Sequence, residues 1–366
     1  MSVVSTLRHH PLWCLLPFVP ALFIAKSLAP ESHTALFVLS MLAVVPLAGL
    51  LSEATESVAA KTGDAVGGLL NATLGNLTEL VIALAALRAG DYLLVKASIA
   101  GAIVTNSTFM LGASFLLGGL KHHLQEFNRS GARLQASLLF LATIALLIPS
   151  TVISKADAQG QEAFIQSLSL GLAVLLIAGY ALGMLFSLKT HRDLFASQSN
   201  DAHDGEEQPW PISRALITLV VVTVLVALVS EVFVESVQEA AKTFGMSPAF
   251  VGFIVVALVG GAAEMVAAFS AARKNKLDLS VAIALGSASQ IALFVAPVLV
   301  IVSYVIGPSP MDLQFWPGAV VMMLIAAFTA TMVANNGRSA WFVGVLVLMV
   351  YVIFGMALYL LPPATA

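Results

Sequence analysis

Eleven segments of this chain are long and apolar enough to cross a lipid bilayer, and this feature constrains the fold more than any other. The hydrocarbon core of a bilayer is about 30 Å thick, so a helix needs about 20 apolar residues to span it. Lipid offers no hydrogen-bond partners, so segments of this length have to be helical. An all-α polytopic membrane protein is therefore predicted. The expected spans lie at roughly 12–28, 33–52, 66–88, 95–119, 134–154, 163–187, 214–234, 246–272, 279–303, 315–334 and 340–361.

The composition agrees with this class of protein. Hydrophobic residues make up 59% of the chain and charged residues 10%, against about 25% charged residues in soluble domains. The charges fall in the loops, so the expected environment is a lipid bilayer and no nucleic-acid-binding face is expected. The single cysteine, Cys14, excludes an internal disulfide and a cysteine-based metal site. The first span has no clear small-residue cleavage site, so we expect a transmembrane helix there rather than a cleaved signal peptide.

The distribution of basic residues between alternate loops predicts the orientation in the membrane, because cytoplasmic loops are enriched in Lys and Arg. The loops on the side of the N-terminus contain twelve of the 17 basic residues, namely Arg8, Lys61, Lys121, Arg129, Arg133, Lys189, Arg192, Arg214, Arg273, Lys274, Lys276 and Arg338. The opposite loops contain the other five, namely Lys26, Arg88, Lys96, Lys155 and Lys242. We therefore expect a protein of the plasma membrane, such as a bacterial inner membrane, with its N-terminus on the cytoplasmic side. After eleven crossings the C-terminus lies outside.

Two glutamates lie within predicted spans. Glu79 occurs in GGLLNATLGNLTELVIALAALR (67–88) and Glu264 in VGFIVVALVGGAAEMVAAFSAAR (251–273). A carboxylate is costly at membrane depth, so its presence indicates binding or transport of a charged species. The two frames match at a fixed offset of 185 residues. The same offset places Gly67 on Gly252, Gly75 on Gly260, Arg88 on Arg273, Ala97 on Ala282 and Gly101 on Gly286.

The preceding spans also end alike, in SEATESV (52–58) and SEVFVESV (230–237). Each repeat would comprise five spans, and because five is odd the two copies enter the membrane in opposite directions. This is the plan of many secondary transporters, whose ion site lies at mid-membrane where the repeats meet. We therefore predict an extra N-terminal helix (1–32), a first five-helix repeat (33–187), a cytoplasmic acidic linker (188–213) and a second five-helix repeat (214–366).

Polar side chains with oxygen atoms accompany both glutamates. Asn76 lies three residues before Glu79 and shares its helical face, and the following span adds Asn106. In the second copy Ser287 and Gln290 are three residues apart on one face. Hard cations such as Ca²⁺ take oxygen ligands, whereas Zn²⁺ and Cu⁺ prefer nitrogen or sulfur. Hydrogen bonding between helices is the alternative role of these side chains.

Five sequence motifs surround the glutamates: GGLLNATLGN followed by TEL, VKASIAGAIVTN, VALVGGAAE, KNKLDLSVAIALGSASQIALFVAP and the linker start SLKTHRDLF. Together they closely resemble the calcium/proton antiporters of the cation/Ca²⁺ exchanger superfamily, over roughly residues 45–305. The resemblance implies an eleven-span fold that exchanges Ca²⁺ for H⁺ at a central site, without a cofactor. It makes Glu79 and Glu264 the principal metal ligands and the proton carriers. The supporting ligands or hydrogen-bond partners that it implies are Asn76, Asn106, Ser287 and Gln290.

Three positions depart from the pattern of that family. Gly261 stands where an Asn is usual, Met265 where a His is common and Ala102 where a Ser is frequent. The change at Gly261 removes an amide oxygen from one half of the site, and a backbone carbonyl near Gly260 is the alternative oxygen. The choice of cation therefore stays open at this stage.

Buried carboxylates also suggest how two ions would be coupled. In a low-dielectric site a carboxylate favours its protonated form, whereas a divalent cation favours the ionised form. H⁺ and Ca²⁺ would then compete for the same oxygens. Two glutamates would give about two protons per Ca²⁺ by charge counting, since ligands lose protons when they bind metal.

Further acidic residues have two interpretations each. Near the span ends, Glu53, Glu56, Glu231 and Glu235 either line entrances that concentrate cations or are solvated helix ends. The linker residues occupy the place of an acidic segment proposed to sense cytosolic Ca²⁺ in the family, and a plain soluble linker is the alternative. These linker residues are Asp201, Asp204, Glu206 and Glu207.

Three classes of function follow from these features. A cation/proton antiporter agrees best with the inverted pair, with Ca²⁺ first and Na⁺/Ca²⁺, K⁺ or Na⁺/H⁺, or Mn²⁺ exchange as variants. A passive channel would more naturally repeat a pore-lining element in several subunits. An enzyme has no support, because HExxH, GxSxG and nucleotide-binding motifs are missing from the sequence. We predict a non-enzymatic secondary antiporter, and the sequence leaves homo-oligomerisation open.

Overall fold

The computed structural model describes residues 11–62, 64–151, 158–191 and 209–360. Most of these residues are helical, in the elements α1 (Phe18–Leu28), α2 (His33–Lys61), α3 (Asp64–Leu74), α4 (Leu77–Arg88), α5 (Tyr92–His122), α6 (Arg129–Thr151), α7 (Ala158–Leu185), α8 (Ile212–Thr243), α9 (Pro248–Gly260), α10 (Ala262–Arg273), α11 (Leu277–Ile306), α12 (Pro317–Ala334) and α13 (Trp341–Leu360). A 3₁₀ turn, Pro11–Leu15, precedes α1, and a π turn, Phe186–Thr190, follows α7. Two short strands, β1 (Leu124–Glu126) and β2 (Arg338–Ala340), pair antiparallel.

Eight of the described helices are long and apolar enough to cross a membrane, namely α2, α5, α6, α7, α8, α11, α12 and α13. The helices α9 and α10 are long and apolar enough only when taken together, and they are bent by 58° at a break between them, as in a broken span or a re-entrant loop. The predicted span at 12–28 is a shorter apolar helix, and the one at 66–88 is divided into α3 and α4. The predicted all-α membrane fold is thus confirmed, whereas the count of eleven spans stays a prediction.

Burial separates central helices from lipid-facing ones. In α5, every residue from Ile99 to Thr108 is buried, as expected for a helix that packs on all sides. In contrast, α7 and α8 expose large apolar side chains, such as Leu175 at 64% and Val220 at 62%. An apolar exposed face is the face that lipid covers.

The helices α2 and α8, which begin the two predicted repeats, pack side by side in opposite directions. Near the start of α2 the ring of Phe37 stacks on that of Phe233, with centroids 5.4 Å apart. Near its end the Ser57 hydroxyl accepts a hydrogen bond from the backbone N–H of Trp210, which precedes α8, at 3.2 Å. Opposite directions are what an inverted repeat requires.

Charged residues collect at two opposite ends of the helix bundle. One end, called the ribbon end here, carries the β1–β2 pair, and there Lys121 Nζ donates to the carbonyl of Arg273 at 3.0 Å. The other end, called the ion-pair end, carries the salt bridges Lys26–Glu235 at 2.9 Å, Arg88–Glu231 at 3.3 Å and Lys96–Asp312 at 2.7 Å. Lys121 and Arg273 thus lie at one end and Lys26, Arg88 and Lys96 at the other. This is the division that the count of basic residues in alternate loops predicted.

Candidate ion-binding site

The two glutamates occupy equivalent places in the fold. Glu79 lies in the first turn of α4, directly after the break from α3 at Gly75, and Glu264 lies in the first turn of α10, after the break at Gly261. The first N–H groups of a helix have no partner within the helix and carry a partial positive charge. A carboxylate in this position is therefore stabilised by the helix that presents it.

Four polar residues form a continuous hydrogen-bonded row, called the polar chain here. Asn76 Nδ2 donates to Gln290 Oε1 at 2.6 Å, and the Ser287 hydroxyl donates to Asn76 Oδ1 at 2.7 Å. The row continues where Asn106 Nδ2 donates to Ser287 Oγ at 2.8 Å. Each bond joins a residue of the first predicted repeat to one of the second, so the polar chain lies on the boundary between the halves.

Both glutamates lie against this boundary. A Cβ atom added to Gly260 would lie 3.6 Å from Glu79 Oε1, which places the Glu79 side chain against the helix break of the opposite half. The carboxylate of Glu264 is near the Ser287 hydroxyl and interacts electrostatically with Glu79. The structure thus brings together all six residues named as ligands in the sequence analysis.

Two oxygen atoms of the site are buried without a hydrogen-bond partner among the described residues. They are Glu264 Oε2 and Asn106 Oδ1. A buried acceptor without a partner costs about 1–3 kcal/mol, and a bound cation or proton relieves that cost. Two carboxylates with amide and hydroxyl oxygens form the type of ligand set that Ca²⁺ takes. No cluster of three or more His, Cys, Asp or Glu residues suited to a metal occurs in the described part, so neutral oxygens would complete the coordination.

A π turn occurs beside the site in each half, and the sequence analysis did not foresee either one. In α5 it covers Thr105–Met110 and includes Asn106, and in α11 it covers Ile291–Val295 and follows Gln290 directly. The offset of 185 residues brings the two turns into register. Single π turns within α-helices are frequent at functional sites because they redirect side chains.

One further polar residue near the site was missed. Gln135 of α6 accepts a hydrogen bond from the Ser289 hydroxyl at 2.7 Å. It has no charge and no matched polar partner at the repeat offset, so the sequence offered no signal for it. Ser98, for which the sequence favours hydrogen bonding between helices, lines a narrow cavity beside Glu79, together with Ala102 and Val256.

The other predicted acidic residues lie elsewhere. Glu231 and Glu235 are engaged in the salt bridges of the ion-pair end, and Glu56 is exposed and accepts a hydrogen bond from Ser52 at 3.1 Å. Glu53 is half-buried in α2. Their role at the entrances stays a prediction. The linker residues Asp201, Asp204, Glu206 and Glu207 lie outside the described residues.

Comparison with known proteins adds independent observations. The family model described as "Sodium/calcium exchanger protein" matches residues 32–189 and 214–360. The Ca(2+)/H(+) antiporter of Aphanothece halophytica is 40% identical over 360 residues, which cover 95% of this chain and 96% of that protein. The Ca(2+)/H(+) antiporter ChaA of Bacillus subtilis is 38% identical, with 99% and 96% covered.

Solved structures show the same similarity. The structure of native YfkE superposes with a TM-score of 0.81 at 36% identity and covers 96% of this chain and 100% of that chain. The crystal structure of the H+/Ca2+ exchanger CAX superposes with a TM-score of 0.71 at 16% identity, over 97% of this chain and 88% of that one, and shows a shared fold. The family-model matches and the extensive identity to these relatives establish that the chain belongs to the sodium/calcium exchanger protein family.

Proposed function

We propose that this protein is a secondary active antiporter that exchanges Ca²⁺ for H⁺ at the site formed by Glu79 and Glu264. The observation that carries the proposal is the convergence of both carboxylates on the polar chain, at the boundary between the two halves. Relatives named Ca(2+)/H(+) antiporters, at 40% and 38% identity over nearly the whole chain, support the choice of ions.

The residues divide the work according to their chemistry. Glu79 and Glu264 hold either Ca²⁺ or protons, because only they can neutralise the metal charge and also take up protons. The two unpartnered oxygens, Glu264 Oε2 and Asn106 Oδ1, are available to the metal without breaking a hydrogen bond. The polar chain is held in place by the hydrogen bonds of Asn76, Ser287 and Gln290, which also supply further oxygens.

Coupling follows from competition for the same oxygens. A divalent cation stabilises ionised carboxylates and protons neutralise them, so the site holds one or the other. If the molecule changes its open side readily only when the site is occupied, Ca²⁺ moves one way as protons move the other. Two carboxylates exchange about two protons per Ca²⁺ by charge counting.

The same proposal includes the arrangement in the membrane. Residues 33–187 and 214–366 are inverted repeats, joined by the linker 188–213 and preceded by the extra segment 1–32. Two separate matches of the family model, at 32–189 and 214–360, support this division, as do the opposite directions of α2 and α8. The excess of basic residues in its loops assigns the ribbon end to the cytoplasm, with the N-terminus on that side and the C-terminus outside.

Calcium flux in everted membrane vesicles tests the function. With an acidic vesicle interior, ⁴⁵Ca²⁺ uptake is expected to depend on the pH gradient. It should stop when the pH gradient is abolished by a protonophore added together with an ionophore. Uptake that ignores the gradient would support a passive channel instead. Competition by Na⁺, K⁺, Mg²⁺ and Mn²⁺ in the same assay determines whether another cation of the superfamily is preferred.

The substitution Gly261→Asn is expected to strengthen Ca²⁺ binding. A Cβ at this position would lie 3.5 Å from Asn106 Oδ1, which is ordinary contact, and 3.3 Å from the carbonyl of Ala257, which is tight. The side chain therefore enters after a shift of a few tenths of an ångström and adds an amide oxygen. The Ca²⁺ concentration for half-maximal exchange is expected to fall about three- to tenfold, which corresponds to about 1 kcal/mol. Gly261→Ala adds the same Cβ without the amide. Equal behaviour of the two variants would show that the amide oxygen is not a ligand.

A further inference from the structure

The two halves of the molecule differ in the packing of their bent spans. At the offset of 185 residues, α3 corresponds to α9, and the first part of α5 corresponds to the first part of α11. In one half the short helix is seated on its long neighbour, and in the other it is not. The glycines at the contact are matched, namely Gly67 with Gly252 and Gly101 with Gly286, so both halves have the small residues that a close contact needs.

At the ion-pair end α9 is seated closely on α5. A Cβ atom added to Gly101 would overlap the carbonyl oxygen of Phe253, and one added to Gly252 would lie 2.6 Å from the Cβ of Ala97. Ala97 itself is completely buried. Backbones approach this closely only where glycine is present, so the contact closes the molecule at this end.

At the ribbon end the equivalent positions of α11 have no close contact of this kind, although Gly286 itself is buried. A Cβ atom added to Gly286, the counterpart of Gly101, would meet no atom of the described residues within 4 Å outside its own helix neighbours. Ala282, the counterpart of Ala97, is exposed. We call the surface formed by Ala282 and Gly286 the empty seat.

The helix α3 lies away from this surface. Its residues Val66 and Leu69 are 52% and 48% exposed, whereas Val251, the counterpart of Val66, is completely buried. Gly67 packs instead against α2, where an added Cβ would overlap the carbonyl oxygen of Ala59. The exposed fractions of Val66 and Leu69 show that this face of α3 is not packed against the described residues in the present state.

The end of α3 nevertheless stays attached to α11 in the middle of the molecule. Asn76, which follows α3, donates to Gln290 at 2.6 Å, and a Cβ added to Gly75 would lie 3.9 Å from Gln290 Oε1. The gap between the two helices therefore begins at the polar chain and opens toward the ribbon end.

We infer that the empty seat receives α3 when the molecule closes at the ribbon end, in the way that Gly101 and Ala97 receive α9 here. The helix turns about the break at Gly75, and α9 leaves α5 in the same transition. Among the described residues none makes a contact with Gly286 that requires a glycine, although glycine weakens a helix interior relative to alanine. A close contact between Gly286 and α3 in the second state explains why a glycine occupies this position. This inference assigns Gly286 a positioning role and rests on the proposed function.

Filling the seat tests the inference. Gly286→Leu is expected to fold, because a Cβ at this buried glycine meets no described atom within 4 Å. It is expected to reduce exchange by about tenfold or more through overpacking of the closed state. Gly179→Leu is the matched control, since a Cβ at Gly179 of α7 also meets nothing within 4 Å. It is expected to exchange within about twofold of the parent, the effect of a surface change.

Thiol labelling reads out the same transition without transport. In a Cys14→Ser background, which removes the single native thiol, Ala282→Cys is expected to react with an impermeant maleimide from the ribbon end. Ala97→Cys is expected to react from the opposite side whenever α9 leaves α5. Addition of Gly286→Leu should preserve the first reaction and suppress the second at least about tenfold, in proportion to the lost population.

The inference is wrong if Gly286→Leu exchanges as fast as Gly179→Leu, or if it leaves the labelling of Ala97→Cys unchanged. A parent protein without Ca²⁺/H⁺ exchange would overturn the proposed function instead. In that case the two labelling rates still decide whether the seat is occupied in a second state, because they do not depend on which ion is carried.

Discussion

Glu264→Gln is expected to abolish Ca²⁺/H⁺ exchange, and Glu79→Gln is expected to do the same. Glutamine has nearly the same shape, but it carries no charge and does not exchange a proton. Loss of a residue that merely supports a metal ligand typically costs 10- to 100-fold, so loss of a charged ligand should reduce the initial rate by more than about 100-fold. The measurement is ⁴⁵Ca²⁺ uptake under an imposed pH gradient, at matched amounts of protein.

The control for these two variants is Glu162→Gln. Glu162 is an exposed carboxylate at the start of α7, hydrogen-bonded to Gln166 at 3.4 Å and separate from the polar chain. Its replacement is expected to leave the rate near that of the parent. Substantial uptake by either of the site variants would mean that its carboxylate is not required, and the two-glutamate site would have to be abandoned.

Gly101→Val is expected to lower the stability of the protein strongly. The new side chain would overlap the Phe253 carbonyl, which belongs to the main chain of α9 and has no rotamer by which to move aside. Overpacking of a close contact costs about 1–3 kcal/mol and occasionally more, and a β-branched side chain has little freedom to adjust in a helix. We expect a lower unfolding temperature in detergent, measured by intrinsic tryptophan fluorescence.

The same substitution also has an effect on conformation. Since α9 cannot be seated on α5 in the variant, the folded fraction should be open at the ion-pair end, opposite to the effect of Gly286→Leu. Gly171→Val provides the comparison, because a Cβ on Gly171 of α7 meets nothing within 4 Å and the residue is exposed. If both valine variants unfolded at the same temperature, the close contact of Gly101 with α9 would be disproved.

Several features of this protein could be predicted from particular residues. The apolar segments predicted a helical membrane protein, because lipid leaves no other way to satisfy the backbone of a spanning segment. Glu79 and Glu264 were recognisable because a carboxylate at membrane depth is costly unless it has a function. Their matched surroundings at one offset predicted a shared site, and the structure brings both to the polar chain.

Other features depended on contacts between distant residues. Asn76 was grouped with Glu79 because they are three residues apart, yet its hydrogen bonds reach Gln290 and Ser287 in the other half. Glycines carried two alternative meanings in the sequence, a helix break or close packing. The fold separates these meanings: Gly75 and Gly261 lie at breaks, whereas Gly101 and Gly252 are packing contacts. The π turns left no trace in the hydropathy pattern, which reports burial and not the hydrogen-bond register of the backbone.

The class of fold and the two acidic residues could be read from the amino-acid sequence, because both follow from the cost of placing polar groups in lipid. The supporting oxygen ligands came from the family resemblance, and their role as ligands stays a prediction. The three-dimensional packing was needed to see which polar groups meet across the boundary and at which end a short helix is seated on its long neighbour. Such contacts join residues that are far apart in the chain, and local patterns of hydropathy and spacing carry no information about which distant residues meet.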